Sequence, residues 1–203
     1  MLKVILVDDE QIILNGLQRV ISWEEYGCEV VGTATDGVSG LSLVRKLVPD
    51  SVFTDIRMPN MDGLSMIAAL KSEYPQMQMA ILTAYRDFEY AQRAIRLGVT
   101  RYLLKPSKMD ELKEAIGHMA NVLEAGRAAE KAEEKPSEAE REKGEESEAS
   151  MFVVNSAMQY IQQHFTQHVR LSDVADSVYV SQWHLSKLIN RHLGKSFFDI
   201  LNE

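Results

Sequence analysis

Ser51-Val52-Phe53-Thr54-Asp55 is the stretch that decides the fold: four residues suited to a buried strand, closed by a single carboxylate. Three further short apolar runs end on a polar residue in the same way. Lys3–Val7 leads into Asp8-Asp9, Ala80-Ile81-Leu82 into Thr83, and Tyr102-Leu103-Leu104 into Lys105. Runs this short, rich in Val, Ile and Leu and without polar alternation, suit parallel strands covered on both faces. Helical spacing fills the gaps between them. Ile13, Leu14, Leu17 and Val20 or Ile21 share one face of the helix Gln11–Val20, and Val38–Leu47, Leu64–Lys71, Phe88–Leu97 and Met109–Leu123 follow with the same period. Glu29–Ala34 supplies another strand, after Gly27. Five strand–helix units of this length predict an α/β fold, a five-stranded parallel doubly wound sheet with helices on both faces. In such a sheet the C-terminal strand ends share one edge, where ligands bind. Three carboxylates, a hydroxyl and an ammonium are therefore expected in one crevice, a set suited to cation and phosphoryl chemistry.

Composition narrows the class. The chain of 203 residues has room for one medium domain and a small one. Its longest apolar run is too short to span a bilayer, and its N-terminus enters a strand with no cleavable signal. Cys28 is the only cysteine, so no internal disulfide can form, and a small buried apolar role is expected for it. A cytoplasmic protein without membrane partners is the expectation. A net charge of −8 argues against nonspecific nucleic-acid binding by the whole chain.

Charge is unevenly distributed, and three segments result. Residues 1–124 carry the strand–helix pattern. Residues 125–150 hold nine Glu against five Lys or Arg, with Pro136 and Gly144 as breakers and no apolar stripe, and read as an acidic tether, helical at its start as an extension of the preceding helix. Residues 151–203 balance four basic against four acidic residues. There Val154, Ala157, Met158, Ile161 and Phe165 share one helix face, Leu171, Val174, Ala175 and Val178 another, and Ser181 caps a third helix that buries Leu185, Leu188 and Ile189 before Gly194. A short helix, a turn and a second helix make a small all-α helix-turn-helix module. His164, His168, His184 and His192 lack the companion ligands of a metal site and read as surface or partly packed side chains.

Val7-Asp8-Asp9-Glu10, Thr54-Asp55-Ile56-Arg57-Met58-Pro59-Asn60-Met61-Asp62-Gly63, Leu82-Thr83-Ala84-Tyr85 and Leu104-Lys105-Pro106 resemble the receiver domain of two-component response regulators over residues 1–124. The resemblance implies the flavodoxin-like strand order 2-1-3-4-5. It makes Asp55 the phosphoacceptor, served by a sensor histidine kinase. It assigns Mg²⁺ to Asp9, Asp55 and the Arg57 carbonyl, with Asp8 acting through water. Lys105 and Thr83 then contact the phosphoryl group, and the peptide before Pro106 is cis. Thr83 and Tyr102 form the switch, and phosphorylation drives homodimerisation through the helix Phe88–Leu97 and the strand Arg101–Leu104. Met58 and Met61 are expected in loop and core packing. Aspartate-nucleophile phosphatases place a second Asp two residues after the nucleophile; Arg57 stands there, so no enzyme activity beyond slow self-dephosphorylation is expected.

Leu171–Asn202 resembles the first helix-turn-helix of AraC-type transcription regulators, carried by Leu171-Ser172-Asp173-Val174-Ala175, Val180-Ser181-Gln182-Trp183-His184-Leu185-Ser186-Lys187-Leu188-Ile189 and Gly194-Lys195-Ser196-Phe197-Phe198. The second unit of that family is not in this chain, and either a fragment or a naturally shortened protein is the expectation. The resemblance implies promoter DNA as partner, read by Gln182, Trp183, Ser186, Lys187 and Asn190 on the exposed face of the third helix. Ile189 and Asn190 stand where the family often has Phe then Lys, and Arg170 where a capping Ser or Thr is common. The competing expectation is a signalling protein that acts through protein contacts alone.

Overall fold

A computed structural model describes residues 1–132, 148–164 and 169–201. Its strands are β1 (Leu2–Val7), β2 (Cys28–Ala34), β3 (Ser51–Thr54), β4 (Gln78–Thr83) and β5 (Arg101–Leu104); the helices between and after them are α1 (Gln11–Val20), α2 (Gly37–Leu47), α3 (Gly63–Glu73), α4 (Phe88–Arg96) and α5 (Met109–Ala132). All four strand pairings are parallel, in the order β2-β1-β3-β4-β5. This is the doubly wound fold that the alternating pattern predicts.

Period-two alternation sorts the sheet's side chains into two cores. Val4, Leu6, Phe53, Ala80 and Leu82 pack on one face with Leu14 of α1 and Ile116 and Met119 of α5. Ile5, Val7, Val52 and Ile81 pack on the other with Leu41 and Val44 of α2 and with α3. Cys28 is buried, as its apolar reading requires, and Met61 is buried in the second core. Side-chain caps set the helix starts on that side: Asp36 accepts from the Val38 and Ser39 amides, Asp62 from Ser65 and Asp87 from Glu89.

The C-terminal residues form α6 (Glu148–His164), α7 (Leu171–Ser177), α8 (Gln182–Leu193) and α9 (Phe197–Leu201). Ser181 caps α8 and Gly194 ends it in the left-handed conformation, as the spacing predicts. Without a Ser or Thr cap, α7 starts at Arg170, whose amide donates to the Asp173 carboxylate. The segment read as a tether is helical at both ends, to Ala132 and from Glu148; residues 133–147 between them lie outside the described residues, as do Phe165 and His168.

One feature was not anticipated from the sequence. The second core does not stop at α3 but runs on through Val153, Ala157 and Ile161 of α6 to Val174, Leu185 and Ile189. Helix α3 is therefore buried on nearly every side, by the sheet on one and by α6 on the other.

Candidate functional site

The crevice is assembled by backbone bonds that extend the sheet past its last side chains. The Asp8 amide donates to the Ala34 carbonyl at 3.1 Å, the Asp55 amide to Val7 at 2.9 Å and the Lys105 amide to Thr83 at 2.7 Å. Each chemically active residue is thus held at the C-terminal edge by a neighbouring strand. Asp8 and Asp55 are only 2% and 5% exposed. The Lys105 ammonium spans them, 2.6 Å from Asp8 Oδ2 and 2.9 Å from Asp55 Oδ2. The other oxygen of each carboxylate accepts a nearby amide, Glu10 for Asp8 at 3.0 Å and Ile56 for Asp55 at 2.5 Å. Thr83 is fully buried at the end of β4. The Lys105–Pro106 peptide is cis.

Asp8, Asp9 and Asp55 offer carboxylate oxygens all within 4.8 Å of one another. With one ammonium among three carboxylates, the cluster keeps a formal charge of about −2, which a divalent cation would neutralise. An all-oxygen donor set at a partly open edge suits a hard ion that retains waters. Burial pushes the Asp8 carboxyl above its usual value, and the hydrogen bonds from Lys105 and the Glu10 amide offset that only in part. Burial alone would lower Lys105; its bonds to Asp8 and Asp55 outweigh it and hold the ammonium above its usual value.

The other sequence-derived candidates lie around this centre or away from it. The Arg57 side chain turns outward, over the Tyr85 ring at 4.3 Å and onto the Tyr90 hydroxyl. The Tyr102 hydroxyl donates to the Tyr85 carbonyl at 3.2 Å, and burial, with Asp87 and Asp55 nearby, raises its pKa. Gln182, Trp183, Ser186, Lys187 and Asn190 share one side of α8, with Trp183 72% exposed and the Lys187 ammonium 5.4 Å from its ring. Leu185, Leu188 and Ile189 are buried on the opposite side.

Gly63 and Thr54 were not among the candidates, yet both shape the site. The start of α3 lies against Asp55, because the Gly63 amide donates to Ile56 at 2.8 Å while the Thr54 hydroxyl donates to the Asp55 carbonyl at 2.8 Å. A Cβ on Gly63 would meet that carbonyl oxygen at 1.9 Å. The Met-Asp-Gly end of the loop carries the signal, since only glycine permits so close a backbone approach.

A 2-1-3-4-5 parallel sheet with carboxylates closing β1 and β3, and a lysine following β5, defines the receiver class of α/β proteins. Residues 4–117 match the family model described as the response regulator receiver domain. A Staphylococcus epidermidis protein named as an uncharacterized response regulatory protein is 34% identical over all of this chain and 79% of its own length. The Staphylococcus aureus transcriptional regulatory protein HptR is 31% identical, also over all of this chain and 79% of its own length. Among solved structures, the REC domain of AraT, a response regulator from Geobacillus stearothermophilus, is 40% identical with a TM-score of 0.59, covering 62% of this chain and 98% of its own. The chain belongs to the response regulator receiver family, and its relatives include proteins named as transcriptional regulators.

Proposed function

We propose that the protein takes a phosphoryl group from a sensor histidine kinase onto Asp55 and passes the signal to promoter DNA through α8. The observation that carries this reading is the Lys105 ammonium bridging Asp8 and Asp55 at the strand ends. A carboxylate held at 5% exposure beside a fixed cation is oriented for attack, with part of the surrounding negative charge offset. In the transfer, Asp55 Oδ bonds to phosphorus as the donor's P–N bond breaks. The electron pair leaves on the imidazole nitrogen, which takes up a proton. Asp9, Asp55 and the Arg57 carbonyl would hold Mg²⁺, with Asp8 acting through water; the ion supplies charge neutralisation for the phosphoryl oxygens. Lys105 then moves from the carboxylate pair onto one phosphoryl oxygen. Thr83 donates its hydroxyl to another, and Tyr102 leaves the Tyr85 carbonyl to follow it inward.

That movement would change the surface of α4, where Phe88 is 79% and Ile95 76% exposed. Two apolar side chains so displayed suit pairing with a second copy on phosphorylation. The open side of α8 supports AraC-type reading of a major groove by Gln182, Trp183, Ser186, Lys187 and Asn190. Among the described residues no helix is long and apolar enough to cross a membrane, and the cytoplasm, where kinase and DNA are both reached, is the proposed location. Footprinting on genomic fragments with Mg²⁺ and beryllium fluoride tests the output. We expect protection of paired direct repeats that strengthens on adding the phosphoryl analogue. No protection at any fragment, with the analogue bound, would leave only an output through protein contacts.

A further inference from the structure

The loop that follows Asp55 reaches past its own domain. Five residues on, the Asn60 carbonyl accepts the Tyr179 hydroxyl at 3.3 Å, and Tyr179 sits in the turn between α7 and α8. The Tyr179 carbonyl accepts in turn from Arg45 Nη2 of α2 at 2.6 Å, and the same guanidinium is forked onto Glu73 of α3. In the first turn of α8, His184 Nε2 lies 3.1 Å from the Ser72 hydroxyl of α3.

Both residues at the first contact occupy the left-handed region, Asn60 with φ 65° and Tyr179 with φ 59°. Asn tolerates that region. A bulky Tyr does not, and keeps it only where its surroundings hold it. Here both polar ends of Tyr179 are gripped by the receiver. Beneath it, Ser65 and Ala68 of α3 and Val153 and Ser156 of α6 face the same space between the two helices. A pocket of about 60 Å³ lies there, lined also by Phe152 and Val178. The open face of α8 points away from the contact, so docking positions the helix without covering Trp183 or Asn190.

We infer that the α2–α3 face of the receiver is the dock for the chain's own C-terminal module, and that the Asn60–Tyr179 contact carries the state of Asp55 to α8. This rests on the phosphoacceptor reading above. Loading Asp55 displaces the loop that Asn60 belongs to, the Tyr179 turn moves with it, and the angle of α8 on the receiver changes.

Hydrogen exchange on the full chain, with and without Mg²⁺ and beryllium fluoride, tests this. In the wild type we expect the analogue to change exchange at residues 56–63 and at 178–185 together, by about fivefold or more at the second segment. In Tyr179→Phe, which keeps the ring and loses only the hydroxyl, the change at 56–63 persists and the change at 178–185 is lost. Arg45→Ala without any analogue speeds exchange at 178–185 roughly tenfold, because a charge-assisted bond to the turn is gone. A response at 56–63 with none at 178–185 in the wild type overturns the coupling alone, as does an unchanged response in Tyr179→Phe. Wild-type exchange at 178–185 in Arg45→Ala overturns the dock. Silence at 56–63 overturns the phosphoacceptor reading beneath it.

Discussion

Gly63→Ala is the substitution whose consequence follows most directly from the geometry of the site. The added Cβ would lie 1.9 Å from the Asp55 carbonyl oxygen, 3.0 Å from its carbon and 3.1 Å from Thr54 Oγ1. Ordinary contact begins near 3.4 Å, so the start of α3 must retreat by about 1.5 Å from 1.9 Å, or the Asp55 backbone must yield by as much. Neither has slack. Thr54 is bonded to that same carbonyl, and α3 is wedged between the sheet and α6. Overpacking at such a position costs about 3 kcal/mol, the upper part of the usual range. For a chain of this size that lowers Tm by roughly 6–12 °C. The displaced carboxylate should also label more slowly, since an error of about 1 Å at a reacting atom costs on the order of 100-fold. The assays are thermal unfolding and the rate of Mg²⁺-dependent phosphoryl incorporation from acetyl phosphate. Gly126→Ala is the control: nothing lies within 4 Å of a Cβ there, and alanine within α5 should stabilise by about 0.5–1 kcal/mol. A Gly63→Ala protein with wild-type Tm and labelling rate would refute the close approach of α3 to Asp55.

Three further perturbations have defined outcomes. Asp8 has a raised pKa in the folded chain, so its ionisation destabilises the fold at neutral pH, and that cost fades as pH falls through the raised value and is gone below the ordinary carboxylate range; added Mg²⁺ should therefore raise Tm clearly at pH 7 and less at pH 5, and an equal rise at both would contradict the cluster's charge balance. His184 is held below its usual value by burial, with Glu73 opposing and Lys187 and Arg45 reinforcing the shift; its neutral form favours docking, which is complete above pH 6.5 and weakens as pH falls through the depressed value, so exchange at 178–185 should accelerate in acid and do so no more in His184→Asn than the remaining groups dictate. Lys187→Ala, on the open side of α8, should change stability by less than about 0.5 kcal/mol and reduce the salt slope of DNA binding by about one, as read by gel shift across a salt series.

The parts of this molecule that were legible in the sequence are those governed by local period. β1, β3 and β4 lie inside the sheet and must be apolar on both faces, so their runs are unbroken and the residues that end them stand out. Ser181 marks the start of α8 because its side chain satisfies an amide there; Asp36, Asp62 and Asp87 cap their helices in the same way, without having been read from the sequence. What escaped was set by contacts distant in sequence. Arg45 and Glu73 carry no local signal that they meet each other and that Arg45 meets the Tyr179 carbonyl. Tyr179 at positive φ runs against its residue type, so only tertiary contacts could reveal it. One clue was present. Leu64-Ser65-Met66-Ile67-Ala68-Ala69-Leu70 has no polar face, and a helix apolar all round must be covered all round. The sheet covers one side of α3; the other side called for a partner, which α6 supplies. The 3-10 turn Trp23–Tyr26 also went unread, since its order comes from Trp23 packing edge-on against Phe53 and donating to the Leu17 carbonyl.

Under the proposed function, Asp55 alone among the three clustered carboxylates becomes an acyl phosphate. Treating the protein with acetyl phosphate and Mg²⁺, reducing with borohydride and sequencing the peptides by mass spectrometry reads this directly, because an acyl phosphate is reduced to an alcohol and a free carboxylate is not. Homoserine is expected at position 55, with Asp8 and Asp9 intact and no product when Mg²⁺ is chelated. Reduction at position 8 or 9, or an unmodified position 55 in protein shown to be folded and to bind Mg²⁺, would contradict it.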